Sequence, residues 1–74
     1  IACICHGGQM LISAGVVEGR EVSGYYSIKD DLMNAGGTYV DAPAVVDKNL
    51  VCCPHYKWMG EWMLKSFEVY NESV

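Results

Sequence analysis

The chain has 74 residues, 51% of them apolar, and it carries a formal net charge of −4. Its five basic residues are scattered and form no stripe that could neutralise a phosphate backbone, which excludes nucleic-acid binding as the main role. No uninterrupted apolar run approaches the roughly 18 residues that a membrane-spanning helix needs, so we expect a cytoplasmic protein without a membrane partner.

In chain order, the hydrophobic pattern alternates between strand and helix spacing, which is typical of an α/β fold. Residues 1–5 predict a buried strand, and residues 7–14 predict a helix that stops at Gly15. Residues 21–26 predict a second strand. This alternation favours a sheet covered by helices over a helical bundle.

The middle of the chain predicts the most clearly marked helix. Ser27 and Asp30 have the three-residue spacing of a capping box, here with Asp as the acidic member. Apolar residues then repeat at helical spacing until Gly36 and Gly37 end the helix.

Short strands follow this helix. Residues 38–40 and 44–46 predict strand segments that are separated at Pro43. Residues 47–49 predict a turn into a further strand at residues 50–53, so the two neighbouring segments form a hairpin.

The last segment predicts an amphipathic helix packed on the sheet. Large apolar side chains recur there at three-to-four-residue spacing: Trp58, Met59, Trp62, Met63 and Phe67. We interpret Trp58 and Trp62 as part of the core, and a partner-binding surface is the alternative.

The first ten residues, IACICHGGQM, contain the candidate catalytic residues. A predicted strand runs directly into Cys5, His6, Gly7 and Gly8 and then into a helix. A corner of this kind exposes its central side chain at the carboxyl edge of the sheet, as in the nucleophile elbow of hydrolases with the motif G-x-S-x-G. Here Cys5 takes the position of the serine, and Cys3 and Gly7 take the outer positions.

We expect Cys5 to be a nucleophile, because unpaired N–H groups at the start of a helix favour a thiolate. The backbone N–H of His6, with Gly7 and Gly8 after it, is positioned to stabilise an oxyanion, and the His6 imidazole could act as a base. Both roles of His6 require a third group that orients the ring. The plainer interpretations are a buried structural cysteine and a histidine that only shapes the turn.

The stretch CICHGGQMLISAGVVEGR resembles the ThiJ/PfpI superfamily, whose members usually have A-I-C-H-G-P-Q-L-L at this place. The later run SGYYSIKDDLMNAGGTYVDAPAVVDKNLV resembles the same family, so the likeness covers nearly the whole chain. It implies a flavodoxin-like three-layer sandwich with a mostly parallel sheet. It also implies that Cys5 is the nucleophile, His6 its catalytic neighbour and Tyr25 a residue that lines the pocket.

The resemblance further implies that the site is incomplete in this sequence. In that family a glutamate from earlier in the chain or from an adjoining subunit completes the site, and no residue here matches it. A parallel α/β domain usually has roughly 100–200 residues, so we interpret residues 1–74 as the C-terminal part of one such domain. We expect a homo-oligomer whose catalytic glutamate lies outside this sequence.

Three places depart from the family pattern. Gly8 and Tyr26 stand where proline is frequent, which loosens the helix start and alters the pocket wall. The segment Cys-Cys-Pro-His at residues 52–55 stands where the family tends to have a polar pair such as Ser-Arg. His55 follows a predicted strand end, where α/β sheets collect binding loops. We therefore expect it to line the same crevice as Cys5, with a solvated loop histidine as the alternative.

The cysteines and histidines also suggest a metal site or disulfides, and their spacing argues against both. Cys52 and Cys53 are adjacent on a predicted strand and point to opposite faces, and neither C-x-x-C nor H-x-x-x-H occurs. Cysteines that alternate in one strand, or that are adjacent, form a disulfide only with strain. We therefore expect free thiols, no metal and no cofactor.

The leading hypothesis is a cysteine-dependent enzyme whose Cys5 attacks the carbonyl of a small molecule or of a peptide. The resemblance implies either an intracellular peptidase or amidase, or a glyoxalase or deglycase that acts on α-oxoaldehydes and their adducts. The second hypothesis is a redox-sensing or chaperone-like protein in which Cys5 is oxidised without turnover. In either case we expect the isolated 74 residues to be inactive.

Overall fold

Strands and helices alternate along the chain, as the hydrophobic pattern predicts. The computed structural model describes residues 1–73, so Val74, the last residue of the predicted domain, lies outside the described part. The strands are β1 (Ala2–Ile4), β2 (Glu21–Val22), β3 (Thr38–Tyr39), β4 (Val45–Asp47) and β5 (Leu50–Cys53). The helices are α1 (Gly8–Ala14), α2 (Lys29–Asn34) and α3 (Met59–Ser73), preceded by short 3₁₀ turns at Cys5–Gly7, Tyr26–Ile28 and Tyr56–Trp58 respectively.

The main sheet has the strand order β1-β5-β4. β1 runs parallel to β5, with Cys3 opposite Cys52 and Ile4 opposite Cys53, and β4 is antiparallel to β5. The predicted hairpin is confirmed, because β4 turns into β5 through Lys48, whose φ of 54° is the left-handed conformation that tight turns use. β5 is buried along its whole length, as expected of the central strand.

A second sheet pairs β2 with β3 in parallel, with Val22 opposite Tyr39. The predicted strand over residues 21–26 is therefore wrong in its extent, because the ladder ends at Val22. Beyond that point the chain turns toward β1, and the Tyr25 N–H donates to the Cys5 carbonyl over 2.9 Å. Two of the three strand pairings in the described part of the chain are parallel, and the α/β class is confirmed.

The core lies between the two short helices and the two sheets. Leu32 of α2 and Val22 of β2 are fully buried, and Ile28 is 2% exposed. The same buried cluster includes Leu11, Val17, Val45, Leu50 and Cys52. Because each such side chain contributes about 1.5–3 kcal/mol when it leaves water, this cluster anchors α2 beneath the turn that follows β1.

The start of α2 differs from the prediction. The 3₁₀ turn Tyr26–Ile28 leads into the helix, and no side chain caps it. The predicted capping box of Ser27 and Asp30 is wrong, because the Ser27 hydroxyl lies 3.1 Å from Nε2 of His6 instead. Asp30 and Asp31 still lie in the first turn, where negative charge is favourable beside the positive end of the helix.

The C-terminal helix packs on the central strand through only part of its apolar stripe. Trp62 donates from Nε1 to the Val51 carbonyl over 3.1 Å, and both tryptophans of the segment are half-buried. The prediction that the rest of the stripe packs on the sheet is wrong, because Met59, Met63 and Phe67 are 47%, 44% and 62% exposed. Among the described residues, no helix has the length and apolar character that crossing a bilayer requires.

Candidate active site

The strand-to-helix corner is present where the sequence predicts it. β1 ends at Ile4, one residue earlier than predicted, and Cys5 opens the turn that leads into α1. Cys5 has a φ of 55°, a left-handed conformation that costs a non-glycine residue roughly 1–2 kcal/mol. The hydrogen bond of 2.9 Å from the Tyr25 N–H to the Cys5 carbonyl helps to hold it. Residues kept in such conformations cluster at functional sites.

Glycines leave the room that this turn needs. A Cβ on Gly7 would lie 3.1 Å from the Cβ of Cys3. A Cβ on Gly24 would lie 3.1 Å from the Cys5 carbonyl oxygen, an atom that cannot move without displacing the turn. Gly8, the second glycine of the predicted elbow, is buried. Close packing around the turn therefore depends on the absence of side chains at these positions.

The third group that the His6 ring requires is Ser27. The Nε2 atom of His6 shares a hydrogen bond of 3.1 Å with the Ser27 hydroxyl, and the ring lies 5.2 Å from that of Tyr25. Sequence reasoning misses this role of Ser27, because its spacing to Asp30 predicts a helix cap. The signal that could have found it is a hydroxyl two residues after Tyr25, the position that the resemblance puts in the pocket.

Tyr25 lies at the centre of an aromatic wall, which we define as His6, Tyr25, Tyr26, His55 and Tyr56. Its ring centroid is 5.2 Å from that of His6, 4.7 Å from that of Tyr26 and 5.7 Å from that of His55. The rings of His55 and Tyr56 lie 4.2 Å apart. Because β5 is parallel to β1, His55 leaves the sheet at the same edge as Cys5. The structure thus brings His6 and the two predicted pocket residues together at this edge.

Local hydrogen bonds involve two members of the wall. Nδ1 of His55 accepts from the backbone N–H of Lys57 over 3.1 Å, so the neutral ring carries its proton on Nε2. Side-chain hydrogen bonding with the Tyr26 phenol raises the pKa of Tyr25 above its ordinary value, and the Cys5 sulfur adds to this effect. The Tyr25 phenol therefore stays neutral and able to donate a hydrogen bond near neutral pH.

A cleft of about 290 Å³ lies beside the aromatic wall. It is lined by Tyr26, Asp41, Pro54, His55, Lys57 and Trp58. Aromatic walls with one acidic and one basic side chain suit a small polar ligand. A larger cleft of about 390 Å³ lies near the start of β1, lined in part by Ile1 and Tyr70, at the opposite end of the strand from Cys5.

All four cysteines are free thiols. The adjacent Cys52 and Cys53 have different partners: Sγ of Cys52 lies 3.4 Å from Sγ of Cys3, and Sγ of Cys53 donates to the His55 carbonyl over 3.1 Å. The two side chains therefore point to different sides of β5, as the strand pattern predicts. Among the described residues, no group of three or more histidine, cysteine or acidic side chains is arranged to hold a metal ion.

The first strand of this α/β fold is followed directly by Cys5, which has a positive φ, and then by a histidine oriented through Ser27 and a glycine pair. These features define the class of proteins built around a strand-to-helix elbow. The chain belongs to the DJ-1/PfpI family, whose family model matches residues 1–69. This match confirms the resemblance that the sequence motifs indicate.

Two similar proteins from Pyrococcus species are named as deglycases. The chain is 48% identical to Deglycase PfpI from Pyrococcus furiosus, over 85% of this chain and 40% of that protein. It is 51% identical to a deglycase from Pyrococcus horikoshii, again over 85% of this chain and 40% of that protein. The chain therefore spans about 40% of the length of these relatives.

A solved structure shows the same arrangement of elements. It is a two-domain protein from Anabaena variabilis with DJ-1/ThiJ/PfpI-like and ferritin-like domains. The match is 31% identical, covers 95% of this chain and 20% of that chain, and has a TM-score of 0.91.

Proposed function

We propose that the full-length protein is a cysteine-dependent deglycase or glyoxalase in which Cys5 adds to the carbonyl of an α-oxoaldehyde or of its adducts. The observation that carries this proposal is the left-handed Cys5 at the carboxyl end of β1, next to a His6 ring oriented by Ser27. The names of the two Pyrococcus relatives support the deglycase assignment.

The residues of the turn have distinct roles in this chemistry. The Cys5 thiolate adds to the carbonyl carbon, and the carbonyl electron pair moves onto the oxygen. The backbone N–H of His6 donates to this oxyanion, and Gly7 and Gly8 let the substrate approach the backbone closely. Because Ser27 holds Nε2, Nδ1 of His6 is left to transfer protons. Transfer of a proton from the carbon bonded to sulfur to the neighbouring carbonyl carbon, by way of an enediol, converts the hemithioacetal into a thioester. Water then hydrolyses the thioester to a hydroxy acid and the free thiol.

The size of the neighbouring cleft favours a small substrate over a peptide. A volume of about 290 Å³ lies just below the range of about 300–1,000 Å³ for small-molecule sites, whereas a peptide requires an extended groove. His55 lines this cleft and its ring lies 5.7 Å from that of Tyr25, whose neutral phenol supplies a hydrogen-bond donor. We therefore rank intracellular peptidase or amidase activity second.

The acidic group that completes the site comes, in this proposal, from outside the chain. No residue of this sequence matches the glutamate that the family resemblance implies, and the chain spans about 40% of the length of its relatives. The rest of the full-length protein, or a second copy in a homo-oligomer, supplies that glutamate. The 74 residues alone therefore lack activity.

The same proposal extends to the fold and the compartment. We infer that the chain is the C-terminal part of a flavodoxin-like three-layer sandwich, and its TM-score of 0.91 to part of a DJ-1/ThiJ/PfpI-like protein supports this inference. Four free cysteines are typical of a reducing compartment, which supports the cytoplasm.

Turnover by the full-length protein tests the proposal. We expect it to consume methylglyoxal and to leave a fluorogenic peptide intact. The Cys5→Ser variant should lose this activity, and Cys53→Ala, which changes a buried neighbour of the site, should keep it.

Methylglyoxal turnover that survives in Cys5→Ser would refute the proposal. Peptide cleavage without methylglyoxal consumption would favour the peptidase. Stoichiometric oxidation of Cys5 by peroxide with no turnover of either substrate would favour the redox-sensing hypothesis.

A further inference from the structure

A second pair of thiols lies in the sheet below the elbow. Cys3 on β1 and Cys52 on β5 are direct partners in the parallel register, and their Sγ atoms are 3.4 Å apart. Neighbouring strands are separated by about 4.8 Å, and disulfides join Cα atoms about 4.4–6.8 Å apart. The backbone spacing that a disulfide needs is therefore present before any bond forms.

The two sulfurs interact as a donor and an acceptor. The hydrogen bond from Cys3 lowers the pKa of Cys52 to about 7, and the backbone N–H of Ser23 adds to this effect. The same contact raises the pKa of Cys3. The contact therefore favours a thiolate on Cys52 over a thiolate on Cys3.

The neighbouring Cys53 is not a competing partner. Its Sγ donates to the His55 carbonyl over 3.1 Å on the other side of β5, and burial raises its pKa. Cys52 and Cys53 are both fully buried and adjacent, and they differ in the direction of the side chain and in the groups that it meets. This makes Cys53 a matched control for Cys52.

We propose that Cys3 and Cys52 form an oxidisable dithiol site, which a small hydroperoxide converts into a reversible disulfide. The Cys52 thiolate attacks the terminal oxygen of the peroxide and becomes a sulfenic acid, and the departing hydroxide takes up a proton and leaves as water. The thiol of the half-buried Cys3 then attacks the Cys52 sulfur. The S–S bond forms, the S–O bond breaks, and the departing hydroxide takes the proton released by Cys3.

The electrons and atoms of this step balance. Two thiols lose two electrons and two protons, and hydrogen peroxide takes them up to give two waters. A thiol reductant reverses the step by thiol–disulfide exchange. No role for Cys5 is needed, so this inference stands independently of the proposed function.

The position of the pair connects it to the elbow. The Cβ of Cys3 would lie 3.1 Å from a Cβ on Gly7, so Cys3 packs directly against the turn that Cys5 opens. Closing the sulfur separation from 3.4 Å to a bond of about 2.05 Å moves Cys3 relative to that turn.

Peptide mapping of the full-length protein tests the proposal. Trypsin cuts after Arg20, Lys48 and Lys57, so Cys3 and Cys52 fall in different peptides. The double variant Cys5→Ser/Cys53→Ala keeps Cys3 and Cys52 as the thiols of this segment. After treatment with hydrogen peroxide and alkylation of the remaining thiols, we expect the two peptides to be joined, and dithiothreitol to separate them.

The matched control retains Cys53 of β5 in place of Cys52. The variant Cys5→Ser/Cys52→Ala keeps Cys3 and Cys53, and we expect no joined peptides. Equal joining in both double variants would overturn the proposal, because the thiol would then react without the geometry of the pair. Peroxide-treated wild-type protein is a second measurement that does not depend on the variants folding. Fragment ions should place its link at Cys3 and Cys52, and a link at Cys5 or Cys53, or no link, would overturn the proposal.

Discussion

Replacing Gly24 with alanine tests how tightly the turn at Cys5 is packed. The new Cβ would lie 2.9 Å from Cδ1 of Ile28, 3.1 Å from the Cys5 carbonyl oxygen and 3.2 Å from Cδ1 of Leu32. Ile28 and Leu32 are 2% and 0% exposed, so neither side chain has free space to move into. The carbonyl is held by the Tyr25 N–H over 2.9 Å. Relief of the contacts therefore requires movement of the core or of the turn.

The expected cost of Gly24→Ala follows from this packing. Adding a methyl group to a filled core typically costs about 1–3 kcal/mol. In a protein of roughly 150–250 residues, each kcal/mol lowers Tm by about 2–4 °C, so we expect a decrease of about 2–12 °C. Urea unfolding of the full-length protein, followed by circular dichroism, should show a lower midpoint at an unchanged m value.

Gly60→Ala is the matched control. Gly60 lies in α3, and a Cβ there would meet nothing within 4 Å. Alanine is favoured over glycine in a helix by roughly 0.5–1 kcal/mol, so this variant should be more stable than the wild type. A Gly24→Ala protein as stable as the wild type would refute the close packing of the turn, as would equal effects of the two substitutions.

Three further results are expected. Ser27→Ala removes the hydroxyl that holds Nε2 of His6; a hydrogen bond worth about 0.5–1.5 kcal/mol corresponds to a roughly two- to tenfold loss of kcat, and steady-state kinetics showing a change in KM alone would contradict the positioning role. Leu32→Ala truncates a fully buried side chain and should lower the free energy of unfolding in urea by about 2–5 kcal/mol; a change like that of a surface substitution would contradict its place in the core. Formation of the Cys3–Cys52 disulfide should accelerate as pH rises through about 7, because Cys52 attacks as a thiolate and is deprotonated above its lowered pKa; an alkylation-quenched time course with no pH dependence in this range would contradict that order of steps.

Turns and helix ends were predictable because their causes lie close together in the chain. Gly15 ends α1 with a φ of 71°, and Lys48 takes a φ of 54° in the hairpin. Both conformations depend on the few residues around them. The corner at Cys5 is equally local, since its strand, turn and helix all lie within residues 2–14.

The extent of strands and the exposure of faces were not predictable in the same way. The apolar pattern extends a strand to Tyr26, yet the ladder stops at Val22 because Gly24 has to approach the Cys5 carbonyl. The periodicity of α3 likewise indicates an apolar stripe without showing how much of it the sheet covers. Phe67 belongs to that stripe and is 62% exposed.

The sequence by itself determined the alternation of strands and helices, the strand-to-helix corner at Cys5 and the family to which the chain belongs. Short-range backbone preferences and a contiguous motif suffice for these. Only the tertiary structure decided which groups meet at and below that corner. His6 and Ser27 are 21 positions apart, and Cys3 and Cys52 are 49 positions apart. Such pairs approach each other because parallel strand pairing and core burial bring distant segments together, and no short-range pattern specifies that arrangement.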